Sequence, residues 1–198
     1  IRIVKAGNQS GKSRTCARDL TWLMNREHPY IDVTKEWGPE PLMALVAGAD
    51  RTILTTNIWQ QMLKPLLADP TEWKENNSND GIKSAINRRT GDQIVFLTHN
   101  KGSEEDIRHL MSYAAHYVWI DEIPKTAKVI EELTRRIDAK RGRLIMSYTM
   151  KFRNDAMRKS IAAMDATVTK LYRLAKLDNP IYADRKDEEL AKISHLSK

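Results

Sequence analysis

The chain is poor in the residues and patterns that define several classes of protein. Its single cysteine, Cys16, excludes an intramolecular disulfide, and we expect it to be a small packed side chain rather than a nucleophile. No apolar run approaches the roughly 18 residues needed to cross a bilayer, and no charged-then-apolar leader opens the sequence. There is no internal repeat and no low-complexity tract. These absences predict a soluble, cytoplasmic protein.

Net charge and length indicate the kind of partner and the number of domains to expect. The net charge of +7 fits a polyanionic partner, although ordinary soluble proteins can carry a similar excess. A chain of 198 residues with 41% hydrophobic content can bury one sizeable core, so we expect a single domain. Its core would cover about 1–166, with 167–198 as a C-terminal appendage or the lead into a further domain. Because Ile1 already lies in the first predicted strand, we expect the base-recognising residues to lie upstream.

Residues 6–13 read Ala-Gly-Asn-Gln-Ser-Gly-Lys-Ser directly after a short apolar run. The spacing is that of a Walker A loop, with Ala6 in the position usually held by glycine. Lys12 would neutralise the β- and γ-phosphates, and the Ser13 hydroxyl would ligate Mg²⁺. The alternative is a Gly/Ser loop that only caps a helix. The residues predicted to bind the phosphates of ATP are Ala6, Gly7, Asn8, Gln9, Ser10, Gly11, Lys12 and Ser13.

A second motif, at residues 117–122, reads Tyr-Val-Trp-Ile-Asp-Glu. Its apolar run is typical of a strand buried on both faces of a parallel sheet, and ligands bind at the carboxyl ends of such strands. Asp121 would hold Mg²⁺, usually through water, and Glu122 would polarise the attacking water. The alternative is a strand ending in a solvated acidic turn. The order and separation of the two motifs favour an ATPase.

The rest of the chain predicts alternating strands and helices. This pattern predicts a three-layer α/β fold of the P-loop NTPase class (ASCE type), with a mostly parallel central sheet flanked by helices. We expect helices over 14–26, 58–67, 125–139 and 184–196, strands over 51–56, 82–86, 93–98 and 143–149, an irregular connection over 29–43, a surface loop over 69–80, and a charged loop and helix over 101–112.

Basic residues are concentrated after the predicted helix 125–139. Between positions 140 and 159 there are seven basic residues and one acid, Asp155. Such a cluster is a candidate surface for the phosphates of DNA, and the alternative is a solvated helix and loop face. The candidate DNA-binding residues are Lys140, Arg141, Arg143, Lys151 and Arg153.

The predicted strand 143–149 ends in two hydroxyl residues on one face, Ser147 and Thr149. With this feature, the sequence resembles the ATPase domain of the large terminase subunit of tailed phages. The resemblance covers nearly the whole chain and rests on residues 6–13, 91–96, 120–122, 147–149 and 178–180. It implies that Ser147 and Thr149 form a coupling motif, that Asp121 coordinates the metal and that Glu122 is the catalytic base.

The resemblance also implies a biological setting. Large terminases thread double-stranded DNA into a procapsid as a homo-oligomeric ring on the capsid portal, using ATP and Mg²⁺ as cofactors and a small terminase subunit as partner. The expected location is the cytoplasm of the infected host cell, with transient docking on the procapsid and no membrane contact. The family usually adds a nuclease domain, but this chain ends too soon for one, so we expect no nuclease activity from it.

The sequence departs from the family at two positions. Many terminases carry an arginine at the position of Asn8, and their coupling motif more often ends in Thr-Pro than in Thr149-Met150. The missing loop arginine implies that another cation meets the charge on the γ-phosphate. Arg108 is the first candidate, acting on a neighbouring subunit, although it could equally be an ion-pair partner of Glu104 or Glu105. The reserve candidates are Arg135, Arg136 and Arg143.

Two other functions are compatible with the motifs. One is a helicase-type DNA translocase, which normally needs two such domains, whereas this chain carries one set of motifs. The other is a nucleotide-gated DNA-binding or scaffolding module that does not hydrolyse ATP. The carboxylate of Glu122, at the position of the catalytic base, favours hydrolysis.

Overall fold

The computed structural model describes residues 2–6, 11–99, 112–149 and 170–174. Its strands form a single eight-stranded sheet. The strands are β1 (Arg2–Ala6), β2 (Met43–Gly48), β3 (Trp73–Ser78), β4 (Gly81–Asn87), β5 (Gln93–Thr98), β6 (Tyr117–Asp121), β7 (Arg143–Thr149) and β8 (Lys170–Leu174). The helices are α1 (Lys12–Met24), α2 (Val33–Trp37), α3 (Arg51–Ile53), a π-helix (Leu54–Leu63), two 3₁₀ turns (Lys64–Leu66 and Pro70–Glu72) and α4 (Ala127–Asp138).

The order of strands in the sheet is β3-β4-β5-β2-β6-β7-β1-β8. All pairs from β5 to β8 are parallel, and β3 and β4 add an antiparallel edge. β7 lies between β1, which leads to the predicted phosphate loop, and β6, which ends in the two acidic residues. The predicted fold class, a mostly parallel sheet flanked by helices, is therefore confirmed.

Apolar side chains form a core on each face of the sheet. On one face, Leu20 of α1 and Ile58 of the π-helix pack with Val46 of β2. On the other face, Leu133 of α4 packs with Val118 of β6. All five residues of β6 are buried, which explains why its sequence is a continuous apolar run. Among the described residues, the helices are too short or too polar to traverse a lipid bilayer.

The strand predicted over 51–56 is wrong. The strand in this region is β2, which begins in the predicted irregular connection, and the chain from Arg51 onward is helical. The side chain of Asp50 accepts hydrogen bonds from the backbone N–H groups of Thr52 and Ile53, which caps a helix start. This local cap outweighs the strand preference of the β-branched residues that follow.

The surface loop predicted over 69–80 is also wrong in part. After a 3₁₀ turn, Trp73–Ser78 forms β3, which pairs with β4 at the edge of the sheet. Edge strands with a solvated face tolerate the polar residues that suggested a loop. The register shifts between Asn76 and Asn77, so the strand pair contains a bulge.

The other described elements follow the sequence closely. Helices predicted over 14–26 and 125–139 are found as α1 and α4, and the strand predicted over 143–149 is β7. The strands predicted over 82–86 and 93–98 are the antiparallel pair β4 and β5. β8 lies within 167–198 and pairs with β1 along its whole length. The predicted segments 178–180 and 184–196, and all of the predicted segment 101–112 except its last residue, lie outside the described residues.

Candidate nucleotide-binding and active site

The candidate site lies at the carboxyl edge of the sheet, where α1 meets β6 and β7. Asp121 at the end of β6 is in register with Ser147 of β7, and Thr149 at the end of β7 is in register with Ala6 of β1. Gly11 precedes α1 with φ 82°, a left-handed conformation that glycine adopts without strain. The predicted phosphate loop therefore enters α1 through a glycine. Residues 7–10 lie outside the described residues.

Asp121 is the centre of a hydrogen-bond network that joins three elements. Its Oδ1 atom accepts hydrogen bonds from the hydroxyls of Ser13 and Ser147, each at 2.8 Å. The Ser147 hydroxyl in turn accepts a hydrogen bond from Nε1 of Trp119 at 3.0 Å. Because Ser147 is fully buried, this network fixes the side chain of Asp121 relative to α1 and β7.

Burial raises the pKa of the Asp121 carboxyl above its ordinary value. The hydrogen bonds from Ser13 and Ser147 act against this shift, and the nearby charge of Glu122 adds to it. Burial, helped by the charge of Asp121, also raises the pKa of the Cys16 thiol, which is fully buried. Cys16 is therefore a packed side chain without thiolate character. Because burial disfavours the charged form of Asp121, a bound cation would stabilise its carboxylate.

Glu122 is held from two sides. Its Oε2 accepts a hydrogen bond from the backbone N–H of Thr149 at 3.1 Å, and its Oε1 accepts one from the Thr149 hydroxyl at 3.0 Å. The ammonium of Lys12 lies 3.0 Å from the same Oε1. The backbone of Glu122 has φ 67°, an uncommon conformation for a residue other than glycine, and its N–H donates to the Ser147 carbonyl at 2.7 Å. Such backbone strain is typical of functional sites.

Ser13 and Asp121 fit a magnesium ion. They offer a hydroxyl and a carboxylate oxygen 2.8 Å apart, and hard oxygen ligands are those that Mg²⁺ prefers. Among the described residues there is no group of three or more His, Cys, Asp or Glu side chains that could hold a metal by itself. The protein would therefore supply few ligands, as is usual where phosphate oxygens and water complete the coordination of Mg²⁺.

Comparison with known proteins gives a consistent structural result. No protein-family model and no curated protein matches the sequence. The large terminase of a thermophilic bacteriophage superposes with a TM-score of 0.65 at 12% identity, covering 96% of this chain and 43% of that one. Its complex with ADP gives a TM-score of 0.62, with the same identity and coverage. The fold is that of a large terminase ATPase domain.

A second phage gives the same result for an isolated domain. The large terminase ATPase domain of Thermus phage P74-26 superposes with a TM-score of 0.53 at 11% identity, covering 96% of this chain and 81% of that domain. The chain thus spans less than half of the large terminase above but most of a terminase ATPase domain. At identities this low, the likeness establishes the fold.

One residue of this terminase fold was missed by the sequence reasoning. His99 follows β5 and is 3% exposed. Its Nε2 atom lies 3.2 Å from the carbonyl oxygen of Asp121, and its backbone N–H donates to the carbonyl of Gly48 at 3.0 Å. His99 therefore joins the ends of β2, β5 and β6 beside the two acidic residues. A polar residue directly after a buried strand is the signal that could have identified it.

The described members of the basic cluster lie at the opposite edge of this terminase fold. Lys140 and Arg141 lie just before β7, and Arg143 is its first residue, whereas the candidate site is at its other end, roughly 20 Å away for a seven-residue strand. Arg143 forms hydrogen bonds with both carboxylate oxygens of Glu36, at 2.9 and 2.8 Å, and lies over the ring of Trp37.

The other predicted cations either form ion pairs within α4 or lie outside the described residues. Arg135 and Arg136, two of the three reserve candidates for a trans-acting arginine, pair with buried Glu132 of their own helix, α4. Arg108, Lys151 and Arg153 lie outside the described residues. The structure therefore brings Lys12, Ser13, Asp121, Glu122, Ser147 and Thr149 together and leaves Lys140, Arg141 and Arg143 apart from them.

Proposed function

We propose that the chain is the Mg²⁺-dependent ATPase motor domain of a viral large terminase, which couples ATP hydrolysis to translocation of double-stranded DNA into a procapsid. The observation that carries this proposal is the convergence of Lys12, Ser13, Asp121 and Glu122 at one edge of a terminase fold. ADP and ATP-gamma-S are bound by terminases of the same fold, which supports a nucleotide at this edge. Glu122 favours hydrolysis over nucleotide binding alone.

In the proposed reaction, residues 6–13 bind the phosphates of ATP, largely through their backbone N–H groups. Ser13 and Asp121 would hold Mg²⁺, which would help to neutralise the charge of the phosphates. Lys12 now contacts Glu122 at 3.0 Å and would bind the γ-phosphate of the substrate instead. The same movement frees an oxygen of Glu122 to accept a proton from the attacking water.

Ser147 and Thr149 connect these carboxylates to β7. Each hydroxyl donates to one of the two acidic residues, Ser147 to Asp121 and Thr149 to Glu122. A change at either carboxylate during hydrolysis would therefore reach β7 directly. This arrangement supports a coupling role for the two hydroxyl residues.

The proposed motor acts as a homo-oligomeric ring on a capsid portal in the host cytoplasm, with the small terminase subunit as partner. The net charge of +7 supports a DNA partner. Our sequence-based prediction for DNA contacts stays with Lys140, Arg141, Arg143, Lys151 and Arg153. Of these, Arg143 would have to exchange its contact with Glu36 for a phosphate.

Replacing Lys12 with Ala tests the nucleotide site. We expect the affinity for Mg-ATP-gamma-S, measured by isothermal titration calorimetry, to fall about 10–100-fold, because charged hydrogen bonds contribute about 1.5–3 kcal/mol. Lys35→Ala, at an exposed position of α2, is the control and should bind normally. Equal affinities for the two folded variants would contradict the proposed site.

Mixed oligomers test the trans role of Arg108. Arg108→Ala and Glu122→Gln subunits should each be inactive alone. In mixtures, an Arg108→Ala subunit has an intact base and can receive Arg108 from its neighbour, so we expect part of the ATPase activity to return. The measurement is the rate of phosphate release across a series of mixing ratios on assembled rings. If no ratio restores activity, Arg108 does not act in trans.

A further inference from the structure

A cavity lined by two basic side chains lies along residues 95–98 of β5, the part of this strand that leads to the carboxyl edge of the sheet. It has a volume of about 310 Å³ and lies against β5, beside Arg51, Lys83 and Tyr113. Its described lining contains two cations and no carboxylate. Thr98 and Tyr113 add two hydroxyls, which can donate further hydrogen bonds. The cavity is therefore lined by groups that suit an anion.

A bulge in β4 lies beside this cavity. Asn76 and Asn77 of β3 pair with Ser84 and Ile82, so Lys83 is the extra residue between them. The pairing of β4 with β5 does not continue past Ser84 toward the end of β5. Lys83 at this bulge is exposed, and its side chain lines the cavity.

Arg51 fills the gap where β4 and β5 separate. Its Nη1 atom donates to the carbonyls of Ile82 at 2.9 Å and Phe96 at 2.6 Å, which holds the guanidinium in one orientation. In the part of the chain that the structure describes, Arg51 forms no ion pair. Burial lowers the pKa of Arg51, while the charge of Asp80 acts in the opposite direction. A fixed, half-buried cation without an ion-pair partner is well suited to bind an anion.

We propose that this cavity binds a phosphodiester group of double-stranded DNA, with Lys83 and Arg51 as its cationic contacts. The choice of DNA as the source of the phosphate rests on the proposed translocation function. The cavity is also close to the catalytic carboxylates. Only β2 separates β5 from β6, which is roughly 10 Å, and His99 directly after β5 contacts the Asp121 carbonyl.

This position differs from the surface predicted from the sequence. Lys140, Arg141 and Arg143 lie at the opposite edge of the sheet, where hydrolysis at Asp121 and Glu122 has no direct contact with them. A phosphate in the cavity would instead touch β5, whose end is joined to Asp121 through His99. The cavity therefore provides a DNA contact close enough to respond to the nucleotide site.

The test is DNA binding by Lys83→Glu, with Lys74→Glu as the matched control. Lys74 is an exposed lysine on β3, so the two variants share the same change of charge on neighbouring strands. Fluorescence anisotropy with a labelled duplex, without nucleotide and at several low salt concentrations, gives the affinity and its salt dependence. For Lys83→Glu we expect severalfold weaker binding and a log–log salt slope that is shallower by about 1. Lys74→Glu should change both much less.

Two further measurements separate the possible outcomes. Arg51→Lys keeps the charge but loses the planar fork, and should also weaken DNA binding when compared with the wild type at a temperature at which both are folded. Titration with Mg-ATP should give the same affinity for Lys83→Glu and the wild type. A lower ATP affinity with unchanged DNA affinity would assign the cavity to a nucleotide and overturn the proposal.

The proposal is also overturned if the wild-type chain does not bind duplex DNA at low salt, or if Lys83→Glu and Lys74→Glu behave alike. Because DNA binding is measured without ATP, failure of the proposed ATPase would leave this result intact. Conversely, loss of the DNA site would leave the ATPase tests at Lys12 and Glu122 unaffected.

Discussion

Glu122→Gln will reduce ATP turnover by about 10²–10⁴-fold, the usual contribution of a general base. Glutamine keeps the carbonyl oxygen that can accept a hydrogen bond from Thr149, but it cannot accept a proton from the attacking water. The measurement is steady-state phosphate release by assembled protein at saturating Mg-ATP. The control is Glu131→Gln, an exposed position of α4 that should retain full activity.

Glu122→Gln should leave the affinity for Mg-ATP-gamma-S unchanged or raise it. The pair between Lys12 and Glu122, 3.0 Å apart, competes with any contact of Lys12 to a phosphate. Without the charge of Glu122, Lys12 is released, so we expect Mg-ATP-gamma-S to bind at least as tightly as to the wild type. Unchanged turnover would remove Glu122 from its role as base, and lost binding would mean that its main role is structural.

Asp121→Asn will abolish Mg²⁺-dependent hydrolysis and at the same time raise the melting temperature of the protein without nucleotide. Asparagine keeps Oδ1, which can accept both hydrogen bonds from Ser13 and Ser147, but it removes a buried negative charge. A rise of a few degrees is measurable by differential scanning calorimetry, because about 1 kcal/mol shifts the melting temperature by roughly 2–4 °C in a domain of this size.

The stabilising effect of Asp121→Asn should increase as the pH rises. The folded protein raises the pKa of Asp121, so the folded state binds this proton more tightly than the unfolded state. The stability that wild-type Asp121 contributes is therefore greatest below its ordinary pKa of about 3.9 and is lost as the pH rises through its folded value. The advantage of Asp121→Asn should grow from acidic to neutral pH.

The exposed Glu27 provides the control for this experiment. Glu27→Gln removes a carboxylate without burial and should change the melting temperature little at any pH. If Asp121→Asn melts below the wild type at neutral pH, the buried charge of Asp121 does not destabilise the wild-type protein as we infer. Such stabilisation at the expense of activity is expected where a charged group is retained for function.

The short motifs of this chain could be read from the sequence because each depends on neighbouring residues. The glycine before α1, the buried run of β6 and the two hydroxyls at the end of β7 all have local signatures, and each lies in the predicted element. The start of the helix at Arg51 was misread, although its Asp50 cap is also local, because β-branched residues favour strand assignments. β3 was missed because polar edge strands resemble loops.

Contacts between distant residues could not be read in this way. Ser13 and Asp121 are 108 positions apart, and their hydrogen bond exists because β7 lies between β1 and β6 and aligns the strand ends. The same holds for His99, whose contact with Asp121 depends on β2 lying between β5 and β6. Sequence spacing does not specify the order of strands in a parallel sheet.

The sequence by itself therefore determined the class of fold and predicted the phosphate loop and the acidic pair, since these follow from local spacing and from the period of apolar residues. Only the tertiary structure decided that Lys12 pairs with Glu122 and that Arg143 pairs with Glu36, away from the candidate site. It also decided that Arg51 and Lys83 share a cavity. The physical reason is that the interaction between two charges depends on the distance between them in space, and the order of the strands sets that distance.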